Sequence, residues 1–157
     1  MNQGSSKSLL PLVEILISIG IFAIAVVLTL QLFLLAKFLG NKTADTARAI
    51  FEIQNVAENI KTMKTEAEME KYIINDLNGY ILYYDGNWNS VSGEKEAVFV
   101  LKIDMNKVEY DSGGLYNFVL DLYKTDSYPF IDEKKLEKDE NYIPLLASVN
   151  ASKFILK

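Results

Sequence analysis
The side chains available for chemistry are few in kind. The 157 residues include no cysteine and no histidine, which removes thiol nucleophiles, imidazole acid–base catalysis, disulfides and the usual zinc ligands. Oxygen ligands gather at Asp104, Asn106, Glu109 and Asp111 around an expected turn, and oxygen is what calcium takes. The spacing and glycine of an EF-hand loop are missing, so an ordinary acidic turn explains them as well. Asp132 and Glu133 are adjacent carboxylates, as glycoside hydrolysis would need, but they open a charged run, 131–141, that reads as a solvated loop together with Lys134, Lys135 and Lys138. No serine sits in a nucleophile elbow and no glycine-rich phosphate loop occurs. No catalytic set is therefore assigned, no metal beyond those calcium candidates, and no cofactor. The aromatics Tyr83-Tyr84 and Trp88 suit either sheet packing or a glycan or protein partner. Asn150-Ala151-Ser152 has the form of a glycosylation sequon.

One carboxylate stands apart from all of these. Glu14 is the only charged residue between Lys7 and Lys37. It borders a charge-free run of 22 residues, 15–36, which as a helix is about 33 Å long and matches the roughly 30 Å hydrocarbon core of a bilayer. An acidic residue at the centre of a span costs roughly 2.5–3.5 kcal/mol, less near its edge. The Glu14 carboxylate therefore lies at the water interface or meets a cation.

The elements that would hold these residues follow from periodicity. Residues 10–36 read as a transmembrane helix, with Pro11 in the first turn, where a missing N–H is tolerated. Beyond Gly40-Asn41, Ala49, Ile53, Val56, Ile60 and Met63 recur every three or four residues. The polar stripe opposite comprises Asp45, Arg48, Glu52, Asn55, Asn59 and Thr62. This is an amphipathic helix, 41–63, with one packing face. No proline intervenes, so a single helix from about residue 10 to 63 is expected. Thr65-Glu66-Ala67-Glu68 opens a short helix with Met69, Tyr72 and Ile73 inward, stopped at Asn78-Gly79. Strands are expected at about 80–84, 97–105, 115–124 and 143–149, with 154–156 as an extension of the last. Asp85-Gly86-Asn87 and Asp111-Ser112-Gly113-Gly114 supply turns, and Pro144 argues for an edge. The fold class is α+β: a long N-terminal helix packed on a small antiparallel sheet.

Charge divides the chain. Up to residue 48 there are four cations against two carboxylates; beyond it there are twelve against nineteen. The acidic C-terminal part argues against a nucleic-acid partner, which needs a basic face. The C-terminal flank of the span carries Lys37, Lys42 and Arg48 against Lys7 on the other side. Counted literally, the positive-inside rule turns that flank to the cytoplasm.

The segment Leu9-Leu10-Pro11-Leu12-Val13-Glu14-Ile15-Leu16-Ile17-Ser18-Ile19-Gly20-Ile21-Phe22-Ala23-Ile24 resembles the prepilin N-terminal motif of type IV pilins and type II secretion pseudopilins. Leu12-Val13-Glu14 and the apolar run after it carry the likeness. Leu9 stands where that family has glycine, Leu10 where it has phenylalanine, Pro11 where it has threonine, and the family's mid-helix proline is absent near Gln31. The resemblance implies a short cytoplasmic leader-like segment, 1–9, processed between Leu9 and Leu10 with methylation of Leu10. It also implies a span, 10–36, and an extracytoplasmic pilin-like head, 37–157, reversing the literal charge count. The protein would be a single-pass cell-membrane subunit, a minor pilin or pseudopilin. Its partners would be the lipid bilayer, similar subunits and an inner-membrane assembly platform. Glu14 would pair with the amino terminus of a neighbouring subunit or, if Leu10 is not freed, with Lys7. The alternative is an uncleaved signal-anchored protein whose head binds a partner or ligand.

Overall fold
The computed structural model describes residues 9–77, 80–132, 135, 139 and 142–156. The leader-like segment through residue 8, the helix stop at Asn78-Gly79, and Glu133, Lys134 and Lys138 lie outside the described residues. Helix α1 runs Leu9–Thr62, 54 residues, and passes through Gly20 and Gly40 unbroken. The chain divides into two compact units between Gly40 and Asn41.

In the first unit, side chains from Pro11 to Gly40 are almost all exposed, including Leu16 at 71% and Phe22 at 70%. A helix apolar all round finds its counterpart in lipid or in other helices. The hydroxyls within it are satisfied locally: Ser18 Oγ donates to the Glu14 carbonyl and Thr29 Oγ1 to the Ala25 carbonyl, each at 2.8 Å. This i to i−4 bonding removes the need for water.

The second unit begins with the amphipathic part of α1. Ala49, Ile53, Val56, Ala57 and Ile60 are buried, and Met63 packs half-buried just past the helix end. Short helix α2, Glu66–Lys71, is capped by Thr65, whose Oγ1 accepts from the Glu68 N–H at 3.2 Å. Glu68 Oε2 accepts in return from the Lys64 N–H at 2.8 Å, one residue further back than a standard capping box. A π-helical turn, Tyr72–Asp76, follows. Met69 and Ile73 are buried, while Tyr72 is half-buried and takes a 3.0 Å hydrogen bond from the Asn59 amide.

Five antiparallel strands form one sheet: β1 Ile81–Tyr84, β2 Ser90–Val91, β3 Phe99–Tyr110, β4 Gly113–Lys124 and β5 Leu145–Leu156, in the order β2-β1-β3-β4-β5. The inward faces supply Phe99, Leu101 and Ile103 from β3, and Tyr116, Phe118, Leu120 and Leu122 from β4. They form one apolar core with the buried face of α1. The α+β class is thus the observed one: a long N-terminal helix whose C-terminal part packs on an antiparallel sheet.

The strands differ in extent from the spans their patterning gives. β3 continues from Met105 to Tyr110 although its apolar alternation ends there, because every residue of that stretch pairs with β4. The hairpin turn is therefore only Asp111-Ser112. β2 is two residues long, too short to leave a pattern. β5 starts after Pro144 and runs to Leu156 at the sheet edge, with a bulge opposite Leu122 and Tyr123.

Gly113 shows a close approach that sequence patterning does not register. A Cβ added there would collide with the Ile155 carbonyl oxygen and stand 3.1 Å from Leu156 Cα. Those are backbone atoms held by the ladder, so they cannot swing aside. Gly113→Ala should lower stability by about 1–3 kcal/mol, read as a drop in thermal midpoint. Gly114→Ala, which meets only the movable Tyr116 ring and Lys107 stem, should cost less. Equal effects would contradict this packing.

Candidate functional site
Glu14 lies on a distinct stripe of α1. At 100° per residue, Ser18, Ile21, Ala25 and Thr29 fall within about 60° of it. Ile17, Leu28, Leu32 and Leu35 share that stripe, so Ser18, Ala25 and Thr29 are interspersed with large apolar side chains along it. Leu16, Ala23 and Val27 lie on the far side. Glu14 itself is exposed, and among the described residues its carboxylate has no ion-pair partner. Leu9 and Leu10 are the first two residues of α1. By length and composition this is one helix long and apolar enough to cross a membrane.

The calcium candidates are drawn out along β3. Asp104 pairs with Val119, Asn106 with Asn117 and Glu109 with Gly114, while Asp111 is in the turn. At roughly 3.3 Å per residue, Asp104 and Glu109 stand about 16 Å apart, and their parity puts them on opposite sheet faces. Glu109 instead joins Lys107 at 3.2 Å, and Lys107 also binds Glu66 at 3.0 Å. The Lys107 bond is the main reason the Glu66 carboxyl is held below its usual range. Among the described residues no cluster of three or more acidic side chains comes together to hold a metal.

The aromatic group separates into two environments. Tyr84 is buried, and Trp88, at φ 66°, folds back to stack on Phe99 with ring centroids 4.0 Å apart. Asp85 fixes that turn by accepting from the Asn87 and Asn89 N–H groups at 2.8 and 2.9 Å. Tyr83 alone faces outward, beside Ile81, Val100, Lys102 and Tyr123 in an open groove. Asn150 is exposed on the edge strand β5, and Ser152 Oγ donates to Asn117 Oδ1 at 2.8 Å.

A polar cluster at the Asn41 end of the head has no counterpart among the sequence candidates. The Tyr128 hydroxyl donates to Asp45 Oδ2 at 2.6 Å, and Lys124 Nζ donates to the same oxygen at 2.8 Å. Lys42 Nζ meets Asp132 Oδ1 at 3.1 Å, while Asp132 Oδ2 accepts the Tyr128 backbone N–H at 3.1 Å. Both ammonium groups lie over the Tyr128 ring, Lys124 at 4.1 Å and Lys42 at 5.3 Å. Asp132 is fully buried, which corrects its assignment to a solvated loop. Asp45 and Glu52 are half-buried, so the polar stripe of α1 is not wholly turned to solvent. Two cations, two carboxylates and a neutral phenol balance one another, and the result is a clasp joining the segment after β4 to α1. Two segments, 42–45 and 124–132, contribute to it from 79 to 90 residues apart, so no local spacing could reveal it.

Burial is the largest influence on both buried phenols. It pushes Tyr84 up to about 12, with the Glu52 charge adding to it, and raises Tyr128 further with help from its bond to Asp45. Each therefore stays neutral in the fold after it would ionise in the unfolded chain, at the ordinary phenol value of 10.0. The stability they contribute is fully present below that pH and is lost as pH rises from it through about 12. Urea midpoints should hold steady to about pH 9 and then fall, and Tyr128→Phe should flatten the fall. A midpoint that is flat at alkaline pH in the parent protein would contradict this.

No family model, curated protein or solved structure matches the chain.

Proposed function
We propose that the chain is a pilin-like or pseudopilin-like structural subunit, anchored by residues 10–36 and docking through that apolar helix into a bundle of similar subunits. The observation that carries this reading is Glu14. A lone carboxylate at the border of a charge-free run of 22 residues has no role in a plain anchor, whereas in a bundle it selects a cation and so sets axial register. The α+β head, with an amphipathic helix under an antiparallel sheet, is the architecture the prepilin resemblance implies. The head lies on the extracytoplasmic side in this reading, because long domains translocate largely regardless of flanking charge. Its partners are similar subunits and a membrane assembly platform.

Leu9, in place of a small residue before the scissile bond, favours a second reading: an uncleaved signal-anchored protein with a partner-binding head. Affinity isolation of the full chain from membranes of its own cells separates the two. Retention of other prepilin-motif subunits supports the first; a single unrelated partner bound to the head supports the second.

A further inference from the structure
We infer that the head carries a lipid-contacting foot at its Asn41 end, formed by Phe130, Ile143 and Leu145 with the Lys135–Tyr142 pair. Phe130 is 53% exposed and is held at φ 63°, a left-handed conformation that a bulky residue adopts only when its surroundings impose it. Two residues on, the buried Asp132 ties the segment to Lys42. Ile143 and Leu145 are 53% and 47% exposed. They flank Pro144, whose carbonyl accepts the Lys124 N–H at 3.0 Å, and Lys124 in turn is bound to Asp45. The exposed apolar groups are thus fastened to the part of α1 that begins the head.

Position along the chain names the occupant. Lys42 follows Ala36, the last residue of the charge-free run, by six positions, a length of chain that spans at most about 20 Å in any conformation. Chain connectivity alone therefore keeps residues fastened to Lys42 and Asp45 within reach of the interface that a span ending at Ala36 would meet. Lys135 Nζ donates to the Tyr142 hydroxyl at 2.8 Å and lies over its ring at 4.9 Å. Tyrosine and lysine beside exposed apolar groups are the composition of a membrane–water interface. A second exposed apolar group, Tyr110, Phe154 and Leu156, belongs to the other end of the head, where Glu66 meets Lys107 and Lys153 Nζ donates to the Lys61 carbonyl. It has the exposure without the position, and so serves as the control.

The inference rests on the membrane-anchored reading, and the test separates the two. The chain has no cysteine, so Phe130→Cys, Ile143→Cys, Tyr110→Cys and Leu28→Cys can each carry one nitroxide label in the full chain. The chain is reconstituted in phosphatidylcholine vesicles containing some phosphatidylglycerol. Relaxation by oxygen, which partitions into lipid, is compared with relaxation by a water-soluble nickel chelate. The expected result is oxygen preference at 28, 130 and 143, and nickel preference at 110. Nickel preference at 130 and 143 with oxygen preference at 28 overturns the foot and leaves the anchor standing. Nickel preference at 28 overturns both. If one foot variant fails to fold, the other still decides.

Discussion
Glu14→Ala should leave the protein in the membrane and remove it from the assembly. Insertion does not suffer, because the substitution deletes a carboxylate whose placement in a span costs roughly 2.5–3.5 kcal/mol at the centre. Assembly suffers because the partner cation is left unpaired at low dielectric. Breaking one side of a buried ion pair typically costs about 3–5 kcal/mol, and 3 kcal/mol is on the order of a hundredfold in an equilibrium constant. Glu14→Gln keeps a hydrogen-bonding side chain without the charge, so it should fall between the parent and alanine. Glu14→Asp keeps the charge but shortens its reach, and should show whether position matters beyond sign. The readout is the amount of each variant that co-purifies with partner subunits at equal membrane abundance. Equal recovery of all four would mean that the carboxylate is merely an interfacial residue.

The second large effect is expected at the clasp. Asp132→Ala removes the acceptor of both the Lys42 ammonium and the Tyr128 N–H. Asp132 is 1% exposed at its side chain and Lys42 25%, so water can partly compensate the lysine but cannot reach the backbone N–H as easily. The loss should be about 2–3 kcal/mol, below the range for a wholly buried pair because of that partial exposure. Lys42→Met should cost at least as much, since it strands the buried Asp132 carboxylate without its cation even though an apolar stem stays over the Tyr128 ring. Chemical denaturation of the two variants gives the ranking directly. A clearly smaller loss for Lys42→Met would mean that the bond to the Tyr128 N–H, and not the charge pair, holds the segment.

The sequence made the helical part of the fold legible because two strong periodicities lie end to end. A charge-free run is followed by apolar residues at 49, 53, 56 and 60, and these are all buried. The strands were legible where one face is buried and the other wet, as in Phe99, Leu101 and Ile103. They were not legible where both faces are exposed: Asn106-Lys107-Val108-Glu109-Tyr110 continues β3 only because β4 lies beside it. Asp132 shows the limit most clearly. It heads a run of charges that composition assigns to solvent, yet one carboxylate of that run is captured by Lys42, 90 residues away. Tyr128 and Asp45 meet across 83 residues, and no local pattern encodes such a pairing. Glu14 was visible at once, because its signal is a single charge against an uncharged background.

Site-specific photocrosslinking from the span in living cells tests the central claim most directly. A photoreactive residue at Ile21 lies on the Glu14 stripe, and one at Val27 lies opposite. Docking through that stripe predicts a covalent adduct with another prepilin-motif subunit from Ile21, weaker or none from Val27, and loss of the Ile21 adduct in Glu14→Ala. Adducts that are equal from both faces and unchanged by Glu14→Ala would contradict it.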